Sequence, residues 1–231
     1  MIGFYNYTVL LTYLSLVSAG AGIFAALSGP GHPYIGAACL LICGLCDAFD
    51  GKVARTKADR SEMECQFGIQ IDSLSDVVAF GVLPACIGAA LWRTSPFLHT
   101  LSEAWPNALS VALRCVLYTV LLLYILAAMI RLAYFNVTEE ERQKTENGAR
   151  KTYLGVPVTT AALIFPAVLL LQYLTTADIT LAYFLMLIVT GLAFLVRIQV
   201  RKPGLRGILI MVAIGAVEFI LMALFRHLRL R

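Results

Sequence analysis

Cys46-Asp47-Ala48-Phe49-Asp50-Gly51-Lys52-Val53-Ala54-Arg55 closes one apolar run, and Gly68-Ile69-Gln70-Ile71-Asp72-Ser73-Leu74-Ser75-Asp76 opens the next. On a helix each residue turns the chain by about 100°. Asp47, Asp50, Gly51 and Ala54 therefore share one face, with Arg55 at its border, and Asp72 and Asp76 stack one turn apart with Gly68 a turn before them. Two helices joined by the loop 56–67 fold back on each other and bring four carboxylates to a similar depth. If the first of them starts near Tyr34, Asp47 lies about 20 Å along it. The hydrocarbon core of a bilayer is about 30 Å thick. A lipid-facing acid at that depth costs roughly 2.5–3.5 kcal/mol, so these acids face a polar cavity between helices.

The rest of the sequence agrees with lipid as the solvent. Of 231 residues, 60% are apolar and 14% charged, and the mean hydropathy is +0.82. A soluble domain is roughly 45–50% apolar and about 25% charged. Candidate spans are 7–28, 34–50, 68–91, 109–133, 154–174, 179–197 and 205–225, which predicts an all-α, polytopic membrane bundle of six to seven transmembrane helices. The length fits a single membrane domain, residues 1–231. The first run has no basic residue before it and reads as a retained span, not a cleaved leader. The net charge of +4 does not call for nucleic acid. Basic residues gather in alternate loops: Lys52, Arg55, Lys57 and Arg60, then Arg142, Lys144, Arg150 and Lys151, then Arg197, Arg201, Lys202 and Arg206. By the positive-inside bias these loops face the cytoplasm. Arg226, Arg229 and Arg231 at the tail run against that bias if there are seven spans.

Four acids crowded together need cations. Two carboxylates 4 Å apart repel by about 4 kcal/mol at an effective dielectric near 20. An all-oxygen donor set suits Mg²⁺ or Mn²⁺ better than zinc. Cys43 and Cys46 form a CxxC inside an apolar helix, with no second pair and no histidine nearby, and read as small hydrophobes.

Asp47, Asp50, Gly51, Ala54, Arg55, Gly68, Asp72 and Asp76 fill every fixed position of a pattern that resembles the signature of the CDP-alcohol phosphatidyltransferases. The spacer between Arg55 and Gly68 holds twelve residues, more than is usual in that family. Asp72-Ser73-Leu74-Ser75-Asp76-Val77, Phe80-Gly81-Val82-Leu83-Pro84, Arg131-Leu132-Ala133-Tyr134-Phe135-Asn136 and Tyr153-Leu154-Gly155-Val156-Pro157 look like the phosphatidylserine synthase subgroup.

The resemblance implies transfer of the phosphatidyl group from CDP-diacylglycerol to L-serine by direct displacement, with CMP leaving. It implies that Asp47, Asp50, Asp72 and Asp76 bind metal, two ions of Mg²⁺ or Mn²⁺, and that Asp76 is the general base. Gly51, Ala54, Arg55 and Gly68 match the nucleotide-binding positions. The family is commonly dimeric, so a homodimer in the cell membrane with a cytoplasmic active site is expected. Arg131 ends a helix at about the aspartates' depth, where it can serve as a positive-inside anchor or reach inward, and the resemblance of Arg131 through Asn136 to the serine-type element assigns it to the serine carboxylate. A sister activity with glycerol phosphate or inositol phosphate as acceptor would use Arg131, Arg150 and Lys151 as a phosphate pocket. A membrane cation or solute transporter would instead line a path with the acids, but these acids cluster at one depth.

Overall fold

The computed structural model describes residues 3–145, 152–175, 177–201 and 204–229. Its helices are α1 (Leu10–Leu27), α2 (Pro33–Ala54), α3 (Glu62–Asp76), α4 (Leu83–Thr94), α5 (Pro96–Ala104), α6 (Asn107–Thr145), α7 (Ala161–Leu174), α8 (Thr180–Leu195) and α9 (Leu205–Arg229). Two three-residue strands, β1 (Thr152–Leu154) and β2 (Gln199–Arg201), pair antiparallel with Tyr153 opposite Val200. Five helical stretches are long and apolar enough to cross a membrane, and Val158–Tyr173 and Thr180–Leu195 are shorter apolar helices beside them. The chain is an integral membrane protein of the all-α class. Large apolar side chains stay on its outside, among them Leu122 at 66% exposure on α6 and Leu185 at 62% on α8. Lipid is the solvent that such faces tolerate.

Small residues let the first helices approach. Gly29 and Gly31 take φ of +52° and +99° in the turn between α1 and α2, a conformation that costs glycine least, and Pro33 then starts α2 where its missing N–H is harmless. A Cβ on Gly22 would lie 2.8 Å from the Cys39 side chain across the hairpin. Ser18 donates to the Cys39 carbonyl at 3.1 Å. Helix α2 also packs on α4, α7 and α9, which makes it the central rod.

Helix α3 does not stop at its aspartates. A π-helical turn, Val77–Val82, joins it to α4, so that Glu62–Thr94 is one rod of 33 residues. Pro84 has no N–H for the Phe80 carbonyl one turn earlier. The Tyr124 hydroxyl from α6 donates to that carbonyl at 2.7 Å, and the Tyr183 hydroxyl from α8 donates to the Pro84 carbonyl at 2.9 Å. Both tyrosines are buried, and each ring packs against Phe165 of α7, with centroids 5.5 and 5.1 Å apart. The aromatic bodies thus fill the core while their polar tips repair the backbone around the π turn.

Two expected spans change their bounds. The run 109–133 belongs to a 39-residue helix, about 58 Å long and longer than a bilayer core. Its last turns are charged, and there Arg142 pairs with Glu139 at 2.7 Å. The run 154–174 shortens from its front. Leu154 ends β1, Gly155 takes φ +84°, and Pro157 precedes a 3-10 turn, Val158–Thr160, before α7 begins. Neither the positive φ nor the proline permits a helix to start earlier.

Candidate active site

The site lies where α2 ends and α3 begins. Helix α2 stops at Ala54, and the chain re-enters α3 through a cap built for the purpose. Ser61 accepts from the Glu64 N–H at 3.1 Å while the Glu64 carboxylate accepts from the Ser61 N–H at 3.3 Å. This reciprocal box satisfies two of the helix's free donors. Glu64 also takes Lys57 of the spacer at 2.7 Å and the side-chain amide of Asn6. Its carboxylate holds the Lys57 ammonium above its ordinary pKa. Phe4 packs edge-on against Phe67 at 5.3 Å, so the segment before α1 covers the spacer from one side.

With α3 fixed in this way, one carboxylate oxygen each from Asp47, Asp50 and Asp72 lies within 4.8 Å of the other two. The Gly51 N–H donates to Asp50. The three side chains are half-buried. Asp76, one turn deeper on α3, is 8% exposed; it stands outside the close trio but faces the same cavity as Asp47 and Asp72. Among the described residues no histidine or thiol joins the trio. Three hard oxygen donors converging on one point fit a divalent cation of the magnesium or manganese type, and the trio can hold one.

The remaining signature positions surround the spacer. A Cβ on Gly51 would lie 3.6 Å from Nη1 of Arg55, and one on Gly68 would lie 2.7 Å from Nη2 of Arg60. Arg60 Nη1 also donates to the Ala54 carbonyl at 3.4 Å.

A cavity of about 670 Å³ opens beside the acids. Its wall is mostly apolar: Leu41, Ile42 and Leu45 from α2, Leu132 and Phe135 from α6, Leu163 from α7, and Ile208, Met211, Phe219 and Ile220 from α9. Its charged groups are Asp47, Asp72, Asp76 and Arg131. Arg131 is 5% exposed. It donates from Nε to the Val156 carbonyl at 3.2 Å and from Nη2 to the Gly155 carbonyl at 3.3 Å, and its guanidinium carbon lies 5.6 Å from the centre of the Phe135 ring. It is thus a buried wall residue and not a surface anchor. Arg150 and Lys151 lie outside the described residues.

The chamber is thus apolar, with carboxylates on its wall. The profile of the CDP-alcohol phosphatidyltransferases matches residues 5–199. The chain belongs to this family. The CDP-diacylglycerol–serine O-phosphatidyltransferase of Saccharomyces cerevisiae is 30% identical over 162 residues, which is 66% of this chain and 50% of that protein. The enzyme of the same name from Mycobacterium leprae is 29% identical over 201 residues, 85% of this chain and 59% of that one. The archaetidylserine synthase of Methanothermobacter thermautotrophicus is 30% identical over 160 residues, 68% and 56% of the two chains. The chain spans about half the length of the curated relatives it matches. No solved structure matches it.

Two features of this candidate site carry no signal in the sequence. Asn136 donates to the Ser73 hydroxyl at 2.7 Å, which ties α6 to the turn between Asp72 and Asp76. Arg60 reads in sequence as one more loop charge, and in the structure it folds onto Gly68. The capping box was legible, since Ser61-Glu62-Met63-Glu64 carries the motif's spacing. The Asn136 and Arg60 contacts had no local signal.

Proposed function

We propose that the chain transfers the phosphatidyl group of CDP-diacylglycerol to the hydroxyl of L-serine, giving phosphatidylserine and CMP. The observation that carries this reading is the junction of two environments: Asp47, Asp72 and Asp76 stand on the wall of an otherwise apolar cavity of about 670 Å³. A donor with acyl chains and a charged diphosphate needs both at once. The names of the relatives favour serine as the acceptor.

In this reading Asp47, Asp50 and Asp72, with Asp76 contributing, hold Mg²⁺ or Mn²⁺, two ions by the family resemblance. Such ions neutralise the diphosphate and stabilise the attacking and leaving oxygens when bound. The chain's own groups do the rest. Asp76 takes the proton of the serine hydroxyl on its carboxylate, the freed oxygen attacks the lipid-bearing β-phosphorus, and the bond from that phosphorus to the CMP oxygen breaks. Gly51 and Gly68, with no side chain of their own, let the Arg55 and Arg60 guanidinium groups lie close, and with Ala54 and Arg55 they form the nucleotide wall. Arg131, held in a plane by two carbonyls, receives the serine carboxylate. The basic spacer and the charged end of α6 support a cytoplasmic active site in the cell membrane. The whole chain acts as one membrane domain, and as a homodimer.

The test is an acceptor panel. Purified protein is given labelled CDP-diacylglycerol with Mg²⁺ or Mn²⁺ and serine, glycerol phosphate, inositol phosphate or inositol. The expected products are phosphatidylserine and CMP in the serine tube alone, with none in excess EDTA. Preference for a phosphorylated polyol would replace the acceptor, and full turnover in EDTA would remove the metal from the proposal. Absence of CMP release with every acceptor would sink the transferase reading.

A further inference from the structure

The spacer between α2 and α3 delivers a cation that the reading above leaves idle. Arg60 stands one residue before the Ser61 cap, and its side chain folds inward. Nη1 reaches the Ala54 carbonyl at 3.4 Å and Nη2 the Glu64 carbonyl at 3.3 Å. Both are longer than a typical N–H···O bond of 2.7–3.2 Å. Nε is buried and has no hydrogen-bond partner, a costly state for a charged donor. No carboxylate pairs with Arg60 among the described residues; Glu64, the acid beside it, is already engaged by Lys57 and Asn6.

What the guanidinium does touch is specific. Nη2 would lie 2.7 Å from a Cβ at Gly68, and Arg55 Nη1 would lie 3.6 Å from one at Gly51. Each glycine of the signature therefore faces an arginine, one from the end of α2 and one from the spacer. Ala54 and Gly68, the two residues Arg60 covers, are positions assigned above to the nucleotide. The twelve-residue spacer is long enough to turn back and bring it there. Two planar cations with loosely held or unfilled N–H groups match non-bridging phosphate oxygens, which arginine grips through its fork.

We propose that Arg60 is a second phosphate-binding arginine for the cytidine diphosphate head of the donor. Its long bonds to the Ala54 and Glu64 carbonyls hold it ready, and phosphate oxygens take its unfilled donor on binding. The inference rests on the CDP-diacylglycerol reading. The competing role is a clasp that only ties the last turn of α2 to α3.

The experiment uses the full chain in detergent micelles, with CDP and Mn²⁺ as the probes. CDP affinity in the presence of Mn²⁺, affinity for Mn²⁺ alone, and thermal melting are measured for the unaltered protein, Arg60→Gln and Arg60→Lys. Arg60→Gln is expected to weaken CDP roughly 10- to 100-fold, the range for a lost charged hydrogen bond, with Mn²⁺ affinity unchanged. The KM for CDP-diacylglycerol rises in step and the KM for the acceptor stays. Arg60→Lys keeps the charge without the fork and falls between the two; if Arg60→Gln does not fold, this variant decides by the same readouts. A clasp predicts lower melting temperature with CDP affinity unchanged, and that result would overturn the proposal. So would equal losses for CDP and for Mn²⁺ alone, which report a collapsed hairpin. If the unaltered protein binds Mn²⁺ but no cytidine nucleotide, the donor reading itself fails, and Arg60's role goes with it.

Discussion

The hairpin of α2 and α3 and the turn between α6 and α7 face the same cavity but are built by different means. In the hairpin, the charged groups are placed by helical spacing. Asp47 and Asp50 are three apart and Asp72 and Asp76 four apart, so once the two helices pack, the acids converge. At the turn, Arg131 is placed by partners 24 and 25 residues away, the carbonyls of Gly155 and Val156. Those carbonyls point inward because Gly155 takes φ +84° and because its N–H extends the β1–β2 pairing to the Ile198 carbonyl at 2.6 Å. The first arrangement stores electrostatic repulsion that a cation relieves. The second satisfies a buried cation with backbone oxygen and leaves it planar and oriented. One region gathers negative charge that can hold a metal ion, and the other fixes the orientation of a buried cation.

The comparison breaks most sharply at Asp76. Asp76→Asn keeps the size and cannot accept a proton, so turnover is expected to fall roughly 10²–10⁴-fold, as for loss of a general base, while CDP-diacylglycerol still binds. Equilibrium binding beside single-turnover kinetics separates the two effects. Asp50→Asn differs in kind: it removes a charge from the close trio, so metal and nucleotide affinity fall together. Near-normal turnover of Asp76→Asn would place the base elsewhere.

A smaller effect is expected at the turn. Arg131→Lys retains charge but loses the fork that spans the two carbonyls. The KM for serine rises about tenfold, a loss at the lower end for a charged hydrogen bond, and the KM for CDP-diacylglycerol changes little. A purely structural arginine would instead lower melting temperature and leave the KM for serine unaltered, and that pattern would withdraw the carboxylate role.

The smallest effect on activity is expected in the core that supports both regions. Tyr124→Phe leaves the Phe80 carbonyl without the hydroxyl that replaces the N–H missing at Pro84. An unsatisfied buried carbonyl costs about 1–3 kcal/mol. Thermal melting in detergent should fall accordingly, with both KM values unchanged. A change in KM for either substrate would show that the π turn after Asp76 sets the site's geometry as well as its stability.

The residues of the close trio were legible before any coordinates because their signal is local. A carboxylate in an apolar helix is expensive, so each one announces a cavity, and three- and four-residue spacings announce a shared face. Arg131 was legible as a residue and as a depth, but its setting was not. A positive-inside charge at a helix end and a buried arginine on a cavity wall look alike in sequence. They differ only in what the chain does 24 residues later. The expected span 154–174 failed at its front for a related reason: apolar composition continues through Leu154, Val156 and Val158, while Gly155 and Pro157 redirect the backbone.

The sequence by itself determined that the chain crosses a membrane several times as helices, that its acids meet near the α2–α3 junction, and that a hard divalent cation suits them. Burial cost in lipid and the 100° step of a helix are sufficient for those conclusions, because both act over a few neighbouring residues. Only the tertiary structure decided that Asp76 stands deeper than the trio, that Arg131 is held by the 155–156 carbonyls, that Asn136 braces Ser73, and that Arg60 turns inward onto Gly68. Each of these depends on where a distant segment comes to rest. The packing of α6 and the path of the spacer set those positions, and no periodicity encodes either.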